Sequence, residues 1–322
     1  MERMRIGWLI LGVVGVLLVF GAVQIYARYR RDIHAARERV EELGSQIVGT
    51  ACGPMEYAEF GEGYPVLVIH GIFGGFDQGL VTARAQLGEG FRAIVPSRFG
   101  YLRTPLPENA SPATQADAYA CLLDALGIES AAVIATSAGG TSAIQFALRH
   151  PGRCSALVLI SSNAPGETEA GLPPKPLAKV LVRSDFVFWL LATYFRSTMR
   201  SMMGVPKGFE LAPQDEADIA ETMETILPVS PRAEGALFDM YISNPDINTG
   251  YPLEEIAVPT LIVHAADDPL ASYENARSMA ELIPGARLVT VKSGGHMLLG
   301  QGEVVRAAVA DFLSRNAPVG EP

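Results

Sequence analysis

The sequence predicts an α/β fold: a doubly wound, mostly parallel sheet with a helical lid inserted into it, preceded by one transmembrane helix. Three observations carry this. Beyond Thr50, short and nearly continuous apolar runs alternate with helical segments; the alternation lapses for roughly 85 residues before Pro252; and the N-terminus holds 22 residues without a charge. Apolar strands of this kind need a sheet covered on both faces, which parallel βαβ units provide.

The charge-free stretch runs from Ile6 to Ala27. As a helix it spans about 33 Å, enough for the hydrocarbon layer of a bilayer. It is longer than the apolar region of a cleaved signal and is followed at once by Arg28, Arg30 and Arg31, so it reads as a retained anchor. Arg3 and Arg5 precede it, against Arg28, Arg30, Arg31, Arg37 and Arg39 behind it, and this balance places the body in the cytoplasm. The expected division is an anchor over 1–27, a juxtamembrane helix or linker over 28–49, core over 50–165, lid over 166–252, core again over 253–316 and a tail over 317–322.

Within the body, the strand candidates are PVLVIH (65–70), 91–95, AAVIA (131–135), ALVLIS (156–161), VPTLIVH (258–264) and 287–291. Ser111-Pro112 opens one helix and Gly127 closes it, and the helix after Ser137 stops before Pro151. The lid contains FVFWLLATYF (186–195), too short to span a bilayer, and then Met199, Met202 and Met203. That segment either packs lid against sheet or walls an apolar pocket.

Composition limits the function. Of 322 residues, 49% are hydrophobic and 19% charged, which excludes a disordered chain. The net charge is −10; residues 1–44 carry +2 and the remainder −12, so a nucleic-acid partner is excluded for the body. Cys52, Cys121 and Cys154 lack C-x-x-C spacing and indicate neither a disulfide framework nor a zinc site; Cys121 and Cys154 are expected as buried small apolar groups.

Ser137 stands in ATSAGG, after an apolar strand and before a helix, where a nucleophile can sit on a sharp turn at a helix N-terminus. Taken alone it reads equally as a helix-capping serine. Among five histidines, His296 in SGGHM follows the final strand on a flexible loop that can reach back across the sheet edge, which makes it the candidate base. His264 ends a strand and reads as a packed core residue. Asp267 and Asp268 follow that same strand, and either can orient an imidazole. The glycines of HGIFGG (70–75) let backbone N–H groups face a developing oxyanion. The loop matches neither nucleotide-binding glycine pattern, so nucleotide binding is excluded.

The pieces VLVIHGIFGG, VPSRFGYLRTP, VIATSAGG, PTLIVHAADDPL and SGGHM, in that order, resemble the α/β-hydrolase superfamily over residues 54–312, most of all its lidded serine hydrolases of the esterase, monoacylglycerol lipase and carbon–carbon bond hydrolase type. Ala135 and Ala265 stand where that family usually has glycine. The resemblance implies Ser137 as nucleophile, His296 as base and Asp268 as acid, with Asp267 second. It implies oxyanion donors at the backbone N–H groups of Ile72 and Ala138, and no metal or organic cofactor. Phe73, Phe188 and Trp189 are the expected substrate contacts. The implied function is hydrolysis of a carboxylic ester, hydrophobic or lipid-like given the anchor. Acyl transfer, carbon–carbon bond hydrolysis, and ligand sensing with negligible turnover are the alternatives.

Overall fold

The computed structural model describes residues 2–166 and 171–317; residues 167–170 of the expected lid and 318–322 of the tail lie outside it. Eight strands form one sheet: β1 (Gln46–Thr50), β2 (Gly53–Phe60), β3 (Tyr64–Ile69), β4 (Phe91–Pro96), β5 (Ala131–Thr136), β6 (Cys154–Ile160), β7 (Thr260–Ala265) and β8 (Arg287–Val291). Their order is β1-β2-β4-β3-β5-β6-β7-β8. The first two strands run antiparallel at one edge and β3 to β8 are mutually parallel. Pairing of Ile69 with Ala135 and of Thr136 with Ile160 brings the C-terminal ends of the central strands to one edge.

The side-chain period of two sorts each strand between two cores. Leu67, Ile69, Val133, Leu157 and Ile262 pack on one face with α3 (Pro112–Ala125), α4 (Gly139–Arg149) and α11 (Tyr273–Leu282). Val66, Val68, Ile134, Val158 and Val263 pack on the other with α2 (Phe76–Gln86) and α12 (Gly302–Asn316). Both layers are apolar, which is why these strands read as unbroken runs. Ser111 caps α3 by accepting from Thr114 N–H, as its Ser-Pro start predicts.

The inserted segment is helical: α5 (Lys175–Arg183), α6 (Asp185–Tyr194), α7 (Arg196–Met202), α8 (Pro213–Ile226), α9 (Ala233–Phe238), a π-helical turn Asp239–Ser243 and the short α10 (Asn244–Asp246). Val182, Phe188, Met199, Ile226 and Val229 form its own small core, against which Ile72 and Phe73 pack.

One unbroken helix, α1 (Glu2–Glu42), precedes the sheet. Its N-terminal part leaves Leu9, Leu17 and Phe20 exposed, and its best 18-residue window has a mean hydropathy of 2.6 with nothing buried. No proline or glycine interrupts residues 22–43, so the helix continues past the apolar stretch until Gly44, at φ 74°, ends it. Residues 28–42 are no free linker. Ile33 is buried against the body, Arg37 pairs with Asp185, and Arg39 donates to Asp77 and to the carbonyls of Glu224 and Leu227.

Two of the three cysteines depart from expectation. Cys121 is bonded to Cys52, tying the β1–β2 turn to α3, while Cys154 is buried and free. The partners lie 69 residues apart and meet only because β1 packs along α3, so local spacing carried no sign of the bond.

Candidate active site

Ser137 sits between β5 and α4 at φ 50°, a left-handed conformation that a serine adopts only under constraint. Its N–H is held by Ile160 O at 3.0 Å, and the small residues after it let α4 start close to the sheet. A Cβ on Gly139 would lie 2.7 Å from His70 O, so glycine is required there.

His296 stands on a short 3-10 turn after β8. Its Nε2 is 2.8 Å from Ser137 Oγ, and its Nδ1 is 2.8 Å from Asp268 Oδ2. The three side chains come from the ends of β5, β7 and β8, brought together by parallel pairing of the sheet. The Asp268 side chain is fully buried. Its Oδ1 accepts from Leu270 and Ala271 N–H at 2.8 and 3.0 Å. Burial opposes its charge, but hydrogen bonds from His264 and His296, the charge of His296 and the Ala271 N–H outweigh it and hold the carboxyl well below the usual carboxylate range. An ionised Asp268 facing Nδ1 places the proton there and leaves Nε2 to accept from the serine.

Asp267 has another task. It accepts from Gly294 and Gly295 N–H at 3.3 and 2.9 Å and so shapes the loop that carries His296. The helix that follows, α11, is capped by Ser272 and by neither aspartate. His264 is buried as expected, with Nε2 2.9 Å from Ala271 O and 3.4 Å from Asp268 Oδ2. The inserted segment adds a contact that no motif signals: Gly204 O accepts from His296 N–H at 3.0 Å.

Opposite Ser137 runs the loop 70–75. A Cβ on Gly71 would lie 3.2 Å from Ser137 Cβ, and Gln78 Oε1 accepts from Gly71 N–H at 3.0 Å. Among the described residues, neither Ile72 N–H nor Ala138 N–H has an acceptor within the protein. Two unpaired backbone donors beside a serine–histidine pair form a place for negative charge. His70 is fully buried; burial and the neighbouring Arg98 keep it neutral by lowering its pKa well below the ordinary histidine value.

The three expected substrate contacts divide. Phe73, in the loop 70–75 at φ 60°, meets Phe188 with ring centroids 5.8 Å apart. Trp189 turns toward α1, where its Nε1 donates to Asp32 at 3.0 Å and its ring meets Tyr29. It lines a cavity of about 800 Å³ between α1, α6, α7 and α8, whose walls include neither Ser137 nor Ile72 nor His296. Among the described residues, no group of three or more His, Cys, Asp and Glu side chains is arranged to hold a metal ion.

The profile of the alpha/beta hydrolase fold family matches residues 64–303, which include every residue of this site. The chain belongs to the α/β-hydrolase family. Among its relatives, the uncharacterized hydrolase YcgS of Bacillus subtilis is 32% identical over 262 residues, covering 76% of this chain and 89% of the relative. The 2-hydroxymuconate semialdehyde hydrolase of Pseudomonas putida is 27% identical, covering 81% and 90%. Among solved structures, an alpha/beta hydrolase fold protein from Nakamurella multipartita superposes with a TM-score of 0.68 at 32% identity, covering 84% of this chain and 99% of that one. An esterase from Exiguobacterium antarcticum shares the fold at a TM-score of 0.64 and 21% identity, covering 84% and 99%.

Proposed function

We propose that this α/β-hydrolase is a membrane-anchored serine hydrolase of carboxylic esters. The observation that carries the reading is the relay Ser137–His296–Asp268, with two 2.8 Å contacts ending on a buried carboxylate. Ser137 Oγ attacks the ester carbonyl as His296 Nε2 takes its proton, and the oxyanion forms against Ile72 and Ala138 N–H. His296 then gives the proton to the leaving alcohol. Water, deprotonated by the same imidazole, releases the acid and restores Ser137.

Apolar residues beside the site favour a hydrophobic acyl group: Ile72 and Phe73 of the loop pack against the small core that contains Phe188. The exposed apolar part of α1 supports anchoring, and an anchored enzyme meets membrane-partitioned esters at high local concentration. Two observations bear on which side the body faces. The arginine balance favours the cytoplasm, whereas the Cys52–Cys121 bond favours an oxidising compartment. A reporter joined to the C-terminus reads the side directly.

Carbon–carbon bond hydrolysis is the second reading, favoured by the name of the Pseudomonas putida relative. Fluorophosphonate labelling of Ser137, followed by turnover on p-nitrophenyl esters of graded chain length beside a vinylogous 1,5-diketone acid, tests both. Faster turnover of the esters supports the first reading; faster turnover of the diketone supports the second.

A further inference from the structure

The oxyanion donor at Ile72 belongs to the peptide unit whose carbonyl is Gly71 O. Because a trans peptide is planar, its N–H points opposite to its C=O, so whatever holds Gly71 O also aims Ile72 N–H. Gly71 O is held strongly. His70 Nδ1 donates to it at 2.7 Å, Arg98 Nη2 at 3.2 Å and Gly74 N–H at 3.4 Å. His70 Nε2 in turn accepts from Arg98 N–H at 3.0 Å, which fixes its tautomer.

Arg98 is itself placed by the inserted segment. Its guanidinium makes a two-point contact with Asp239, Nη1 to Oδ1 at 2.8 Å and Nη2 to Oδ2 at 2.5 Å, and Tyr101 OH donates to the same carboxylate. Arg98 and Asp239 are both essentially inaccessible to solvent. A guanidinium anchored at two points has no freedom to swing away from Gly71 O. The same stretch of chain touches the site twice more. Arg232 Nη1 donates to Gly74 O at 2.6 Å, and Ser243 Oγ lies 3.0 Å from Thr141 Oγ1, which donates to Ala138 O. The stretch from Arg232 to Ser243 therefore braces both ends of the oxyanion loop and the first turn of α4.

We propose that Arg98, fixed by Asp239 of the inserted segment, is a positioning residue of the oxyanion site: it locks the Gly71–Ile72 peptide so that Ile72 N–H faces the acyl oxygen. The inserted segment is then part of the catalytic apparatus and not merely a cover over it. This rests on the serine-hydrolase reading above, in which Ile72 N–H receives the oxyanion.

The test uses the full-length chain in detergent, with p-nitrophenyl acetate as substrate and fluorophosphonate titration to count active sites. Two variants are compared, Arg98→Lys and the double variant Arg98→Met with Asp239→Leu. The double variant removes both buried charges together and so leaves neither unpaired. Misaiming one oxyanion donor should lower kcat per titrated site by about 10- to 100-fold, with KM within about threefold, since the donor acts on the transition state. Affinity for phenylboronic acid, which forms a tetrahedral adduct on the serine, should weaken by the same factor as kcat/KM. A merely structural role predicts a lower melting temperature and fewer titratable sites, with kcat per site unchanged. A kcat per site within about threefold of the parent in whichever variant folds overturns the proposal. A parent chain that fluorophosphonate does not label, or a Ser137→Ala variant as active as the parent, overturns the hydrolase reading instead and the proposal with it.

Discussion

Trp189 donates its indole N–H to Asp32 of α1 at 3.0 Å, whereas its neighbour Phe188 faces Phe73 of the loop 70–75. Adjacent residues on α6 thus face different neighbours. Trp189→Phe should lower thermal stability and leave the dependence of kcat/KM on acyl length unchanged. Phe188→Ala should depress long esters more than acetate, by up to about 0.8 kcal/mol for each methylene that loses contact. Melting temperatures and an ester series measured on both variants separate the roles; a chain-length effect confined to Trp189 would reverse the assignment.

The two aspartates after β7 should also separate. Asp268→Asn should cost several orders of magnitude in kcat, because an amide cannot stabilise the imidazolium. Asp267→Asn should cost far less, since it supports only the loop N–H groups of Gly294 and Gly295. Steady-state kinetics on p-nitrophenyl acetate rank the pair.

Asp268 also contributes to acid stability. Its folded pKa is depressed, so the stabilisation is complete above the ordinary aspartate value of about 3.9 and is lost as pH falls toward the lower folded value. The stability difference between the parent and Asp268→Asn should therefore shrink as pH falls below about 4. Urea unfolding at a series of pH values measures it; a difference that grows on acidification contradicts the electrostatic account.

The distal part of α1 should behave as part of the body. A chain beginning at Arg28 keeps Asp32, Ile33, Arg37 and Arg39, and a chain beginning at Gly44 loses them all. Burial of Ile33 alone is worth about 1.5–3 kcal/mol. At about 2–4 °C per kcal/mol for a domain of this size, the shorter chain should melt at least about 3 °C lower. Equal melting temperatures would return residues 28–43 to the status of a linker.

Thiol chemistry tests the cysteine pairing. Non-reducing peptide mapping should recover Cys52 linked to Cys121. Cys154 should resist alkylation in the native state, because burial pushes its thiol up to about 12. Alkylation of Cys52 and Cys121 in the untreated native protein would exclude the bond.

The parts legible in the sequence are those with a local physical signature. Strands β3 to β7 announce themselves because both their faces are largely buried, β8 by its short apolar run, and Ser137 and His296 because their turns demand small neighbours. The edge pair β1–β2 was not anticipated: MEYAEF mixes charge with apolar residues, since Glu56 is buried within it and bonded to Ser45, Ser97 and Arg103. The ion pairs of Asp77 with Arg232 and of Arg98 with Asp239 join residues 155 and 141 positions apart, and no periodicity reports a charge that is buried only once the chain has folded. The direction of Trp189 likewise depended on α1 continuing past the apolar stretch, which its helix-forming residues allow but its charge pattern resembles a tether.

The measurement closest to the central claim is turnover of p-nitrophenyl acetate by Ser137→Ala, His296→Ala and the double variant, with fluorophosphonate adducts located by peptide mass. Each single variant should lose about 10⁴-fold or more in kcat, and the double variant should lose little beyond that, because one acylation step uses both groups. The adduct should fall on Ser137 alone. Turnover by Ser137→Ala within about tenfold of the parent, or an adduct on another residue, would contradict the account.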